Sequence, residues 1–241
     1  GKLTGLPVYE LLGGKKHNTL PCYATGGPSN YPKEVLGEKI DYYLSLGFKG
    51  VKLGAGAHIE GKGWKMPETI SETAEFEAEK MEFVRSRVGK DIKIMLDGHM
   101  SNSPHRTWEL PEAESVMKAV EPCDLFFFEE PLHYNDISAY RELCVRSPVP
   151  IAGGECLTVF SEWQPFIEKE AFDIAQPDAS FLGGLGEFMR VASAFESRGK
   201  KLATHAWGAG GSLMQNIHCA FASANTIIVE VAPDYGPLHS E

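Results

Sequence analysis

The sequence predicts an α/β protein of the (β/α)₈ TIM-type barrel class, on three observations. Eight short, apolar, β-rich runs recur along the chain, and seven amphipathic stretches of helical period separate them. Six polar residues then fall at or just past the ends of consecutive runs, about one βα unit apart. A doubly wound sheet is the second choice for the same alternation.

In chain order the strand candidates are 20–25, 50–53, 92–97, 125–129, 150–154, 172–176, 201–204 and 226–231. Nearly all their residues are apolar, as expected of strands covered by helices on both faces. The helical candidates are 34–46, 69–88, 112–120, 137–146, 162–169, 185–198 and 212–223. Each carries apolar residues at three-to-four spacing, with charge on the other face. After the eighth run the chain ends at APDYGPLHSE, so the barrel is expected without its last helix. Residues 1–18 are read as a segment leading in, and 19–241 as the barrel.

The bulk properties agree with one large domain. A chain of 241 residues suits a barrel of about 250, and 43% hydrophobic with 23% charged residues supports a sizeable core. A formal charge of −10 argues against nucleic acid as a partner. It leaves a small anionic substrate open, because a bound metal reverses the local field. Cys22, Cys123, Cys144, Cys156 and Cys219 are odd in number and widely spaced, which suits reduced thiols in a cytoplasmic protein. No stretch approaches the roughly 20 apolar residues of a membrane span, so no membrane partner is expected. A homo-oligomer is expected.

The six polar residues are Asp97 (IKIMLDGH), Glu129 (LFFFEEP), Glu155 (PIAGGE), Asp178 (DIAQPD), His205 (LATHAWG) and Glu230 (IIVEV). Their spacings are 32, 26, 23, 27 and 25 residues. In a barrel all six reach the end of the strands where active sites of this fold are built. Any one of them reads equally as a cap or turn residue; six in register do not. That many acids at one mouth repel one another unless a cation neutralises them. Hard oxygen ligands fit Mg²⁺, with Mn²⁺ as the alternative, and no cysteine or histidine set supports zinc.

The L-D at Asp97, E-E-P at Glu129-Glu130-Pro131, G-E at Glu155, Q-P-D at Asp178 and T-H at His205 resemble the enolase superfamily, mandelate racemase/muconate lactonizing enzyme-like branch, over essentially the whole chain. The resemblance implies metal ligation by Asp97, Glu129 and Glu155, and an Asp178–His205 dyad with His205 as general base. It implies that Glu230 hydrogen-bonds a substrate carboxylate oxygen. Glu130 is expected behind the ligands, since neighbouring strand residues point to opposite faces. The family normally carries an N-terminal capping domain, and these residues are expected to be a barrel without it.

That branch usually carries Lys-x-Lys at the second barrel strand. Here GVKLGAG places Lys52 at the first lysine and Gly54 at the second. A racemase working through two opposed bases is therefore disfavoured, whereas a dehydratase manages with one. MLDGHMS is similar to the metal-ligand segment of acid-sugar dehydratases of the rhamnonate type. Lys52 contacts the substrate carboxylate or fills the barrel mouth. His99 hydrogen-bonds a sugar hydroxyl, acts as an alternative acid, or packs in its loop. The long Gly-rich connection AGAHIEGKGWKMPET reads as a lid or substrate loop, with His58, Lys62 and Lys65 as contacts or as solvated side chains. Cys156 reads as packing rather than a nucleophile. The function expected is a Mg²⁺-dependent hydro-lyase acting on a sugar acid. An epimerase, racemase or cycloisomerase is the first rival, and a truncated, non-catalytic metal-binding barrel the second.

Overall fold

The computed structural model describes residues 1–26, 32–59, 63–101 and 106–233, with the backbone alone for 57–59 and 63–64. A one-turn helix α1 (Val8–Leu11) precedes β1 (Cys22–Ala24), α2 (Lys33–Ser45) and β2 (Gly50–Gly54). A hairpin of β3 (Ala57–Ile59) and β4 (Gly63–Lys65) leads into α3 (Ile70–Val88) and β5 (Lys93–Asp97). Then come α4 (Leu110–Val120), β6 (Phe127–Glu129), α5 (Ile137–Arg146) and β7 (Ile151–Gly153). The chain continues through α6 (Phe160–Lys169), β8 (Ile174–Ala175), α7 (Leu185–Glu196), β9 (Lys201–Thr204), α8 (Gly211–Ala222) and β10 (Thr226–Val231).

Eight strands close a barrel in the order β1-β10-β9-β8-β7-β6-β5-β2, and the paired strands run parallel. The fold is the α/β barrel that the alternation predicts. By internal contacts the chain forms two compact units, Tyr23–Ala152 and Gly1–Cys22 with Gly153–Glu241. In the first, Met81 and Val84 of α3, Ile94 and Leu96 of β5, and Val116 of α4 are fully buried. In the second the core is aromatic: Phe166 stacks on Phe172 with centroids 4.6 Å apart, and Trp163 meets Phe195 edge-on at 5.9 Å.

Local signals account for several element ends. Thr69 caps α3 by accepting from Glu72 N, and the Glu72 carboxylate accepts in return from Thr69 N. Asp136 caps α5 by accepting from Ala139 N. The predicted strand 172–176 shortens to Ile174–Ala175. Gln176 N still donates to Gly153 O at 2.9 Å, but Pro177 has no N–H to continue the ladder. Two elements were not foreseen: α1, and the β3–β4 hairpin inside the Gly-rich connection. Among the described residues no helix is long and apolar enough to cross a membrane. The five cysteines are free thiols.

Candidate active site

In the unit Tyr23–Ala152, β5 ends on Asp97 and β6 on Glu129, and the register pairs these two residues directly. Two carboxylates therefore leave neighbouring strands at one level, and both are buried. Side by side in a low-dielectric setting they would repel. Lys52, buried on β2, offsets this. Its Nζ donates to both oxygens of Glu129 at 2.8 Å and lies 3.0 Å from Asp97 Oδ2. His99 approaches the same oxygen through Nε2 at 3.1 Å, and its backbone N–H donates to Asp97 Oδ1. Burial alone would raise the Asp97 pKa, but the charges of His99 and Lys52 with their hydrogen bonds hold it below the usual carboxylate range.

The backbone here is shaped to present these side chains. His99 and Glu130 both have positive φ, 53° and 42°, a conformation that non-glycine residues adopt at a cost of about 1–3 kcal/mol. A Cβ on Gly98 would lie 2.5 Å from Glu130 O, so only glycine allows the two strand ends to approach. Glu130 is fully buried. Tyr140 of α5 is pushed well above its ordinary pKa, first by burial and then by the Glu130 charge. On β2, Gly54 stands level with Asp97. A buried pair from α3 fixes this turn: Lys80 Nζ donates to Gly54 O at 2.7 Å and Gly56 O at 3.2 Å, while Glu77 accepts from Gly56 N at 2.6 Å. Lys80 and Glu77 are themselves 2.6 Å apart.

The second unit supplies Glu155, Asp178, His205 and Glu230. Glu155 follows Gly154, whose φ of 116° and contact with the Trp163 ring leave no room for a side chain. Asp178, after β8, accepts from His205 Nδ1 at 2.9 Å through Oδ2. Its Oδ1 accepts from Ser180 N, Ser180 Oγ and Asn216 Nδ2 at 2.7, 2.6 and 2.8 Å. Burial works to raise the Asp178 pKa, but the hydrogen bonds from His205, Asn216 and Ser180 outweigh it and hold the group ionised well into the acid range. An ionised Asp178 requires the proton on Nδ1 of His205. The opposite nitrogen, Nε2, then faces Glu155 Oε2 at 3.4 Å and Glu230 Oε2 at 3.9 Å. Glu230 is buried and also accepts from Ala206 N at 2.7 Å.

The structure thus brings Lys52, Asp97, His99 and Glu129 together in one unit, and Glu155, Asp178, His205 and Glu230 in the other. Cys156 is half-buried and Lys65 exposed. Lys62 and the side chain of His58 lie outside the described residues. Ser180 and Asn216 were missed by sequence reading. The Asp178-Ala179-Ser180 string is a turn signal that could have found the first. Asn216, one polar residue on the apolar face of a helix, carries no such signal.

Comparison with known proteins identifies a family for this chain. The model of the family described as Enolase C-terminal domain-like matches residues 36–241. Arabinonate dehydratase of Saccharolobus solfataricus is 32% identical over 226 residues, covering 92% of this chain and 54% of that protein. L-talarate/galactarate dehydratase of Salmonella typhimurium is 29% identical over 205 residues, 85% of this chain and 46% of that protein. The 3,6-anhydro-D-galactonate cycloisomerase from Zobellia galactanivorans superposes with a TM-score of 0.81 at 28% identity, covering 100% of this chain and 61% of that one. The chain spans about half the length of the curated relatives it matches.

Proposed function

Because this chain belongs to the enolase C-terminal domain-like family, we propose that it carries the catalytic barrel of an acid-sugar dehydratase, with Asp97, Glu129 and Glu155 holding one divalent cation, Mg²⁺ or Mn²⁺. The observation that carries the reading is His205, held through Nδ1 by ionised Asp178 with Nε2 turned toward acids. The donor set fits the ion by its chemistry: three buried carboxylates are hard oxygen ligands, Asp97 and Glu129 ending their strands and Glu155 standing two residues past β7. The Lys52 ammonium held between Asp97 and Glu129 marks a place that stabilises positive charge. When bound, the ion would supply positive charge where a substrate carboxylate becomes an enolate.

The chain's own residues divide the remaining work. His205 Nε2 takes the proton α to the carboxylate, and Asp178 stabilises the imidazolium that results. Glu230, shielded from water and carrying a proton in this step, donates a hydrogen bond to a substrate carboxylate oxygen. The imidazolium, or His99 as an alternative acid, returns a proton to the β-hydroxyl as its C–O bond breaks. Water leaves, and the enol tautomerises to a 2-keto-3-deoxy acid. Lys52 stays with Asp97 and Glu129 or contacts the substrate carboxylate.

Both curated relatives described above are sugar-acid dehydratases by name. The likeness to a cycloisomerase makes an enolate that closes on itself the second reading. Incubating the protein with Mg²⁺ and a panel of aldonic and aldaric acids, and assaying 2-keto acid, separates them. Turnover that is lost in His205→Asn supports dehydration. Isomerised substrate without 2-keto acid overturns it in favour of the second reading, and unchanged turnover in His205→Asn removes His205 as the base.

A further inference from the structure

We infer that Asn216 is a positioning residue of the His205–Asp178 dyad, fixing which oxygen of Asp178 meets the histidine. Asn216 is fully buried on α8. Its Oδ1 accepts from Ala179 N at 2.8 Å, and its Nδ2 donates to Asp178 Oδ1 at 2.8 Å. The amide orientation follows from chemistry: the Ala179 N–H can only donate, so the amide oxygen must face it, which leaves the NH₂ for the carboxylate. One side chain therefore clamps two consecutive residues of the loop after β8.

The clamp has a consequence for Asp178. Three donors, Asn216 Nδ2, Ser180 N and Ser180 Oγ, converge on Oδ1. Oδ2 is left to His205 Nδ1. A carboxylate with all three donors on one oxygen has no freedom to rotate its plane, since turning about its last bond would break three bonds at once. The proton of the imidazole is thereby held on Nδ1 and the lone pair on Nε2. Ser212, one turn before Asn216 on α8, supports the same group by donating to Ser180 Oγ at 2.9 Å. A residue serving only the loop would need the Ala179 bond and nothing more. The second arm, onto the acid of the dyad, is what assigns Asn216 to the site.

This inference rests on His205 being the base, and its test is chosen to be read without turnover. The protein is labelled with ¹⁵N-histidine, and the His205 ring is observed by NMR in wild type, Asn216→Leu and Asn216→Asp. Leucine removes both arms. Aspartate keeps an oxygen for Ala179 N but sets a second carboxyl, charged or sharing a proton, against Asp178. The expected result is a wild-type ring protonated on Nδ1 with a strongly downfield proton, and loss or displacement of that signal in both variants. In a turning-over protein kcat should fall by roughly a hundredfold with KM little changed, as a misplaced catalytic group does. Imidazole signals that stay at their wild-type positions in folded Asn216→Asp overturn the inference, and that variant alone decides if Asn216→Leu does not fold. A wild type with the Nδ1–H signal but no turnover retires the proposed reaction and leaves the role of Asn216 to the spectra.

Discussion

Gly154→Ala should cost the protein a large share of its stability, although it adds only one methyl group next to Glu155. A Cβ built on Gly154 falls 2.0 Å from Trp163 Cη2, with two further ring carbons at 2.6 and 2.7 Å. Ordinary carbon contacts lie at about 3.5–4.0 Å, so the ring would have to retreat by roughly 1.5 Å. It has nowhere to go: Trp163 is fully buried and packed edge-on against Phe172 at 6.2 Å and Phe195 at 5.9 Å. Overpacking of this kind costs about 1–3 kcal/mol. The φ of 116° adds about 1–3 kcal/mol of backbone strain for any residue with a side chain. The sum is roughly 2–6 kcal/mol, against the roughly 5–15 kcal/mol that holds a typical domain. Urea unfolding measures it, with Gly186→Ala as control, since a Cβ there meets nothing within 4 Å and the site lies in α7. The reasoning is wrong if Gly154→Ala unfolds within about 0.5 kcal/mol of wild type, the range of an ordinary surface change.

Two further outcomes follow from buried charge. Lys80→Met leaves Glu77 buried without its partner and should destabilise the protein by about 3–5 kcal/mol in urea unfolding. The double variant Glu77→Leu/Lys80→Met should recover only part of this, because Gly54 O and Gly56 O lose the Lys80 ammonium in both variants and Gly56 N loses Glu77 in the double one; complete recovery would show that the backbone contacts carry nothing. Asp178 gives a pH dependence. Its folded pKa lies below the unfolded value of about 3.9, so its contribution is present above that value and is lost as pH falls through the folded pKa. Stability measured from pH 6 down to about pH 3 should therefore fall less steeply in Asp178→Asn than in wild type; parallel curves would contradict the shift.

The barrel was legible because its strands are apolar except mainly near their ends and its helices are amphipathic, two patterns that the fold imposes on every βα repeat. The ends of elements were less so. The run 172–176 carries two strong strand formers, Phe172 and Ile174, but the strand itself covers only Ile174–Ala175, and Pro177 just past it cannot donate to extend the ladder. The hairpin after β2 hid in a Gly-rich connection because glycine weakens the strand signal that its backbone pairing nevertheless satisfies. At the site, acids and histidine could be named from their recurrence at strand ends. Lys80, Glu77 and Asn216 could not, because they come from helices, where a polar residue facing inward looks like any break in an apolar stripe. Their meaning lies in which backbone or carboxylate they reach, and that is a property of packing.

Gly54 bears most directly on the choice among reactions. The residue stands level with Asp97 on the neighbouring strand, and its carbonyl is taken by buried Lys80. Asp97 already meets an ammonium from Lys52 and an imidazole from His99. A second lysine at position 54 would add another cation beside a carboxylate that we propose as a metal ligand. With glycine there, the proposed reaction leaves His205, oriented through Nδ1 by Asp178, as its proton acceptor. A single base that removes a proton and returns it acts on one face of the carbon, so it exchanges hydrogen without inverting the centre. Elimination needs no second face, because the proton can leave with the departing hydroxyl. Substrate recovered from D₂O with deuterium at the α-carbon and its configuration retained would be the signature of this arrangement. Inverted substrate would demand a second base that Gly54 does not provide.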